Sequence, residues 1–412
     1  MSPASRRGDG RTGSGRSSRV WPAGFAVGLV VGAALTVAER RIERHARAAG
    51  LVDWERVERV AAGRLRRAPG ALEPWEIRAA EPSYTAAMAR VVPALEAHLG
   101  TRLPGVVDRV AVVDRGAWVA ANTSAFAALM GRLEVGLLDQ LLPPGAGITK
   151  AAMTLANRWV TTTQMGVLLG FMGQRVLGQY DLALISAEAD PGRLLFVEEN
   201  IRSAARAMDV PLEPFRTWIA LHETTHAYEF EAHPWLRPYL ASRLERQVSM
   251  ISDGTAELGR DAIRQIGASL RGEGRRDDQH WLERLMTDEQ RELFRETQAV
   301  MSLLEGFGDH VMDAVGRDLV PGHARISARF HGRRENRTPF ERAMLRITGM
   351  DLKMEQYRRG EAFVAAIEER GGQAALRRLW EGPETLPTAA EIDDPAVWVR
   401  RTGLGESRGG IA

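Results

Sequence analysis

The run His222-Glu223-Thr224-Thr225-His226 constrains this chain more than any other feature. On an α-helix, two residues four apart lie about 40° apart around the axis, so both imidazoles can reach one metal ion. The glutamate after the first histidine stands beside that ion and can take a proton from a water molecule bound to it. The pattern therefore predicts two metal ligands, His222 and His226, and a general base, Glu223.

The absence of cysteine narrows the identity of the metal. Disulfides, thiolate ligands, iron–sulfur clusters and cysteine nucleophiles are all excluded. A site of imidazole nitrogens and carboxylate oxygens suits zinc, whose hydrolytic chemistry needs no redox change. H-E-x-x-H is also the arrangement found in zinc hydrolases. We therefore expect Zn²⁺ as the cofactor.

A third protein ligand must come from elsewhere in the chain, because a catalytic zinc usually has three and keeps one position open for water. Glu305 is the best candidate. Asp309 follows four residues later on the same helical face, where it can accept the free ring N–H of a ligand histidine. Two alternatives for the third ligand stay open, His310 first and Asp309 second.

The sequence also leaves open which residue stabilises the oxyanion. Tyr357 and His310 are the main candidates, and Tyr228 and His323 have suitable chemistry as well. Each of the four also has a structural interpretation. His233, which precedes a proline, is expected to cap the histidine helix rather than to bind metal.

Composition excludes several classes of protein. The 412 residues, 44% of them hydrophobic, predict a folded chain too long for a single core. The 55 basic and 53 acidic residues leave a net charge of +2, which predicts no nucleic-acid partner. The sequence contains neither a glycine-rich phosphate loop nor a Gly-x-Ser-x-Gly elbow, so a nucleotide site and a serine hydrolase are not expected.

The first 48 residues differ in composition from the rest of the chain. Residues 1–19, rich in Ser, Gly and Arg, predict a disordered basic leader. Residues 20–38 carry no charge over 19 positions, barely enough to span a bilayer, and a charged continuation runs to 48. A membrane anchor, an export signal and a helix packed on the protein itself are the alternatives. The expected localisation is cytoplasmic, with membrane association through 20–38 as the alternative.

The remaining pattern is helical, and it predicts a mainly α, two-lobed fold with at most a few short strands. The expected domain covers residues 49–400, and 401–412 form a flexible tail. The clearest predicted helices lie over 151–177, 297–315 and 360–380. The clearest predicted strands lie over 109–113 and 194–197.

Several segments outside the motif are informative in combination. They are Val52 to Trp54, Val176 to Asp181, His222 to Tyr228, Glu305 to Asp313, Gly349 to Tyr357, Leu379 to Pro383 and Leu386-Pro387. Together, in consistent order over residues 50 to 400, they resemble an uncharacterised bacterial family of zincin-like proteins. Its members are described as zinc-dependent metalloproteases or hydrolases, and part of the family carries a label of association with coenzyme F-420 biosynthesis. The resemblance implies a zincin-like fold and a bound zinc ion.

Three functions are compatible with these observations. The favoured hypothesis is a zinc-dependent metallopeptidase in which Glu223 assists attack of zinc-bound water on a peptide bond. The first alternative is a zinc hydrolase or amidase of a small molecule linked to cofactor metabolism. The second is a non-catalytic, zinc-stabilised binding protein whose metal has a fourth protein ligand, for which His310 is the candidate. The sequence leaves the oligomeric state open.

Overall fold

Helices dominate the structure, a computed structural model that describes residues 37–141, 147–180, 192–247, 249–250, 286–335 and 352–404. The mainly α prediction is confirmed. The predicted leader, residues 20–36 of the apolar segment and the tail from residue 405 lie outside the described residues. None of the helices in the described part of the chain combines the length and hydropathy that a bilayer crossing needs.

The helices are numbered here in chain order. They are α1 (37–49), α2 (Trp54–Leu65), α3 (Pro74–Leu99), α4 (Arg115–Leu141), α5 (Gly147–Met172), α6 (Glu198–Met208), α7 (Leu212–Glu231), α8 (236–247), α9 (Asp288–Leu319), α10 (His323–Glu335), α11 (Leu352–Arg378), α12 (Ala389–Asp393) and α13 (Pro395–Arg401).

Three short strands form one sheet, with β1 (Val110–Val113), β2 (Gly178–Tyr180) and β3 (Leu194–Val197) in the order β1-β3-β2. The central strand β3 pairs parallel with β1 and antiparallel with β2. All four residues of β3 are buried, as expected for a strand with neighbours on both sides. The two predicted strands are present. Strand β2 was not predicted, because three residues that include a glycine carry almost no strand signal.

Several helix ends differ from the sequence prediction. Helix α5 ends at Met172, well before the predicted 177, because the chain turns there toward β2. Helix α9 begins at Asp288, where Thr287 and Gln290 form a capping box, so it starts nine residues before the predicted position 297. Helix α11 is kinked at Gly372, whose φ of 59° lies in the left-handed region.

The chain divides into two compact units. Unit 1 comprises Met1–Val52 and Leu138–Val160, and unit 2 comprises Asp53–Leu137 and Thr161–Ala412. In unit 1, buried Ala46 of α1 packs against buried Ala151 of α5. The first two backbone N–H groups of α5 donate to carboxylates of α1, which joins the two helices at that end.

Unit 2 has its core where α7 packs against α3 and α9, and where α9 packs against α11. The last contact is very close. A Cβ built on Gly306 of α9 would lie 2.2 Å from the carbonyl carbon of Gly360 in α11, so neither position tolerates a side chain. The large side chains that fill this core include Tyr84, Phe215, Phe307 and Phe363.

Candidate metal centre

Helix α7 carries the H-E-x-x-H residues and is buried along most of its length. It begins directly after Pro211, which has extended backbone geometry and serves as its N-cap residue. At the other end, Nδ1 of His233 lies 2.8 Å from the carbonyl oxygen of Glu229. His233 therefore caps the helix, as the sequence predicted.

The two imidazoles and one distant carboxylate meet at a single point. The Nε2 atoms of His222 and His226 lie 3.3 Å apart. Each of these residues and Glu305 offers one ligand atom, and the three atoms all lie within 4.8 Å of one another. Ligands about 2.0–2.1 Å from a tetrahedral zinc ion lie roughly 3.3 Å apart. The two imidazole nitrogens have this separation, and the nearby Glu305 carboxylate is a donor of a type that zinc accepts. No other group of His, Asp or Glu residues within the described ranges meets the same criterion.

Helix α9 brings Glu305 to the histidines because it packs directly on α7. Gly308 faces the imidazoles, and a Cβ there would lie 3.4 Å from Cε1 of His226. Gly306 instead meets α11. Of these two glycines, only Gly308 therefore lies on the side of α9 that meets the motif helix.

Glu223 is buried beside the pair and held by strand β2. The backbone N–H of Tyr180 donates to its Oε2 over 2.9 Å. A Cβ on Gly178 would lie 2.6 Å from Cγ of Glu223, so the strand can approach this closely only with glycine there. Burial, with a smaller contribution from Glu305, raises the pKa of Glu223 to about 7, against the opposing effects of His226 and the Tyr180 N–H.

Glu229 completes the site, and sequence reasoning missed it. Its Oε2 lies 2.8 Å from Nδ1 of His226, and its side chain is fully buried. Burial raises the pKa of Glu229 to about 7, although His226 opposes this. Burial alone would lower the pKa of His226, but Glu229, Glu305 and Glu223 together raise it to about 10. The signal was available, because Glu229 lies three residues after His226 on the same helical face.

The sequence had assigned this supporting role to Asp309. Asp309 lies half-buried on α9, one turn beyond Glu305. Its contact with a ligand histidine stays a prediction.

The other predicted residues lie in different surroundings. Nε2 of His310 is 2.7 Å from Oε2 of Glu368 in α11, and His310 does not belong to the three-ligand group. The Tyr228 ring packs on Phe307 and His233. The side chain of Tyr357 lies outside the described residues. His323 packs against α9, where its ring fills the space beside a glycine at position 316.

An aromatic ring backs the first histidine. The indole of Trp218 lies parallel to the imidazole of His222, with ring centroids 6.2 Å apart. Phe330 of α10 in turn packs on Trp218. Because Trp218 is one helical turn before His222, the same helix sets both the ring and its neighbour. The contact limits the orientations open to the His222 imidazole.

Known proteins resemble this chain in sequence and in structure. The sequence matches the profile of zincin-like metallopeptidases over residues 52–399. A crystal structure from Chloroflexus aurantiacus, of a protein described as a candidate hydrolase with a novel fold, is similar to this chain with a TM-score of 0.61. The two are 34% identical, and the match covers 86% of this chain and 99% of the other. No curated protein matches the chain.

Proposed function

Because this chain belongs to the family of zincin-like metallopeptidases, we propose that it is a zinc-dependent peptidase. The observation that carries the proposal is the convergence of His222, His226 and Glu305 beside the buried carboxylate of Glu223. A hydrolase is already implied at the coarser level by the family and by the similar crystal structure.

The two histidines and Glu305 would hold the ion, and a donor set of two imidazoles and one carboxylate is a common one for catalytic zinc. Zinc bound there would polarise the scissile carbonyl as a Lewis acid and lower the pKa of a water molecule in its open position to about 7.

Glu223 is the general base in this proposal. Burial raises the pKa of Glu223 in the metal-free protein, and a cation bound beside it would lower that pKa toward the range in which the ionised carboxylate accepts a proton. The Tyr180 N–H holds one carboxylate oxygen, Oε2. Glu223 would accept the proton of the attacking water and return it to the leaving amine.

Glu229 would orient the second ligand. Its carboxylate accepts the Nδ1–H of His226, which leaves Nε2 of that ring as the atom that faces the ion. It also strengthens the imidazole as a ligand, because a ring that donates to a carboxylate is more basic.

Metal content and peptide hydrolysis in matched variants test the proposal. The purified chain should hold about one zinc ion, and His226→Ala and Glu305→Ala should lose it. Glu223→Gln should keep the metal and lose about 10²- to 10⁴-fold in hydrolysis of a peptide library. Glu292→Ala is the control for Glu305→Ala, because Glu292 lies at an exposed position of the same helix, α9. It should alter neither the zinc content nor the rate of hydrolysis.

Zinc retained in full by both ligand variants would contradict the metal assignment. Turnover of small amides without cleavage of any peptide would instead support the alternative hypothesis, a hydrolase or amidase of a small molecule. A non-catalytic protein would need a fourth protein ligand, and His310 is a poor candidate because Glu368 already engages its Nε2.

A further inference from the structure

Strand β2 is a very short element beside the proposed general base. It has three residues, and in the described part of the chain it pairs with β3 at the edge of the sheet. Three residues are at the lower limit of length for a strand, so the ladder alone stabilises it little. Its other edge faces the metal centre, since the N–H of Tyr180 donates to Glu223. The position of that N–H therefore depends on what else holds residue 180.

The hydroxyl group of Tyr180 supplies this support. It donates to Oε1 of Glu231 over 3.0 Å. It also accepts from the guanidinium group of Arg237 over 3.1 Å and from the backbone N–H of Gly192 over 3.3 Å. One donated and two accepted hydrogen bonds use the full capacity of a hydroxyl group. Tyr180 is only 4% exposed, so these bonds are shielded from water and correspondingly stronger.

The partners of this hydroxyl group are themselves held in place. Arg109, directly before β1, donates to both carboxylate oxygens of Glu231 over 2.7 and 2.8 Å. It also donates to the carbonyl oxygen of Gly192 over 2.6 Å. A bidentate pair of this kind fixes geometry as well as adding energy. The Tyr180 ring stacks on Phe230, with ring centroids 6.0 Å apart. Tyr180 is thus tied to the sheet and to the end of α7.

We infer that Tyr180 is a positioning residue for the general base: its hydroxyl group fixes the end of β2 so that its N–H holds Oε2 of Glu223 in one place. The inference rests on the proposed function, since it assigns a role within that reaction. Tyr180 contacts α7 at two points about two turns apart, Glu223 through its backbone and Glu231 through its side chain. Without the second point, the N–H would no longer restrain the carboxylate, and a misplaced base slows proton transfer.

Tyr180→Phe tests this role in the zinc-loaded full chain, because it keeps the ring and removes only the hydroxyl group. For the library peptide that the wild type cleaves fastest, kcat should fall about 10- to 100-fold while KM stays unchanged, since the base acts in the transition state. The zinc content should also stay unchanged, because the substitution touches none of the three metal ligands.

Tyr84→Phe is the matched control. The Tyr84 hydroxyl group is also buried and also donates to a carboxylate, that of Glu198, over 2.8 Å. Neither residue belongs to the metal-binding group. The control therefore removes a comparable buried hydrogen bond and should leave kcat unchanged, which separates a positioning role from a general loss of stability.

Amide hydrogen exchange tests the contact independently of activity. The chain has five tyrosines, so ¹⁵N-tyrosine labelling makes the N–H of Tyr180 readable by NMR, and ¹⁵N-phenylalanine labelling follows the same amide in the variant. Exchange at position 180 should be about tenfold or more faster in Tyr180→Phe than in the wild type, because the end of the strand opens more often. Glu223→Ala, which removes the acceptor, should also speed the exchange of the Tyr180 N–H.

Three results would overturn the inference. They are unchanged exchange at position 180 in Tyr180→Phe, a kcat equal to that of the wild type, and a loss of zinc that accounts for the lower kcat. A wild-type chain that holds zinc but cleaves no peptide would instead contradict the proposed function. Exchange at position 180 would then still decide whether the hydroxyl group holds the N–H against Glu223.

Discussion

Helix α7 contributes to two clusters of buried charge that are composed in opposite ways. In the first, Glu198 is fully buried and accepts hydrogen bonds from Arg216, from Arg202 over 2.7 Å and from the hydroxyl of Tyr84 over 2.8 Å. Both oxygens of Glu198 thus have a guanidinium partner, and the same two arginines also pair with Glu213 and Glu76. This cluster joins α3, α6 and α7 and is complete as it stands.

The second cluster gathers three carboxylates, those of Glu223, Glu229 and Glu305, around His222 and His226. The carboxylate of Glu305 raises the pKa of both Glu223 and Glu229. Oε1 of Glu229 is buried without a hydrogen-bond partner among the described residues. Such an excess of negative charge is costly in a protein interior unless a cation joins it.

The difference between the clusters separates structural charge from functional charge. Where each acid pairs with an arginine, removal of one partner should cost stability and leave the chemistry of the metal centre intact. Where the acids are in excess, removal of one should change metal binding first. Three experiments test this distinction, from the largest expected effect to the smallest.

Arg216→Met should lower the free energy of unfolding by about 3–5 kcal/mol, because it leaves the buried carboxylate of Glu198 without its closest cation. Urea unfolding followed by circular dichroism measures the loss. The folded variant should retain its zinc. Arg325→Met, which removes an exposed ion pair with Asp209, is the control and should cost less than about 1 kcal/mol. Loss of zinc without loss of stability in Arg216→Met would erase the distinction.

Glu229→Gln should weaken zinc affinity by about 10- to 100-fold, since His226 loses the carboxylate that fixes its ring. Competition with a chelator of known affinity measures this independently of activity. The same substitution at Glu231 should leave zinc affinity unchanged, because Glu231 lies on the same helix as Glu229 but its carboxylate pairs with Arg109, just before β1. Equal affinities for wild type and Glu229→Gln would show that the contact has only a structural role.

The metal-free protein should lose stability as the pH rises from about 6.5 toward 10. The pKa of His226 is raised from 6.5 to about 10 in the folded state, so its contribution is complete below 6.5 and disappears as the pH passes the folded value. Zinc should remove this dependence, because a ligand imidazole is neutral. Thermal unfolding of chelator-treated wild-type protein at successive pH values measures the trend. A melting temperature that does not change between pH 6.5 and 10 would contradict it.

Local patterns predicted much of this molecule. The helical periodicity of α7 placed His222 and His226 on one face with Glu223 beside them, and the short apolar runs at 110–113 and 194–197 identified two of the three strands in the described part of the chain. Strand β2 escaped because its role depends on its neighbours. Gly178 and the N–H of Tyr180 matter only once the strand lies beside Glu223.

The metal centre likewise combines residues that the sequence predicted with one that it did not. Glu305 was predicted from its residue type and from the carboxylate four positions later, and it does lie beside the histidines. Glu229 was overlooked although it lies on the motif helix, because a surface glutamate and a buried one look alike in a sequence. His310 was a reasonable alternative ligand until α11 supplied Glu368 as its partner.

The sequence by itself determined the donor chemistry: nitrogen and oxygen ligands, two histidines one turn apart and a glutamate between them, since these follow from residue type and the helical repeat. Only the tertiary structure decided which distant carboxylate joins them, which strand edge holds Glu223 and which buried acids lack a cation. Those outcomes depend on how α9 and β2 pack on α7, and contacts between elements far apart in the chain are not encoded in the periodicity of either one.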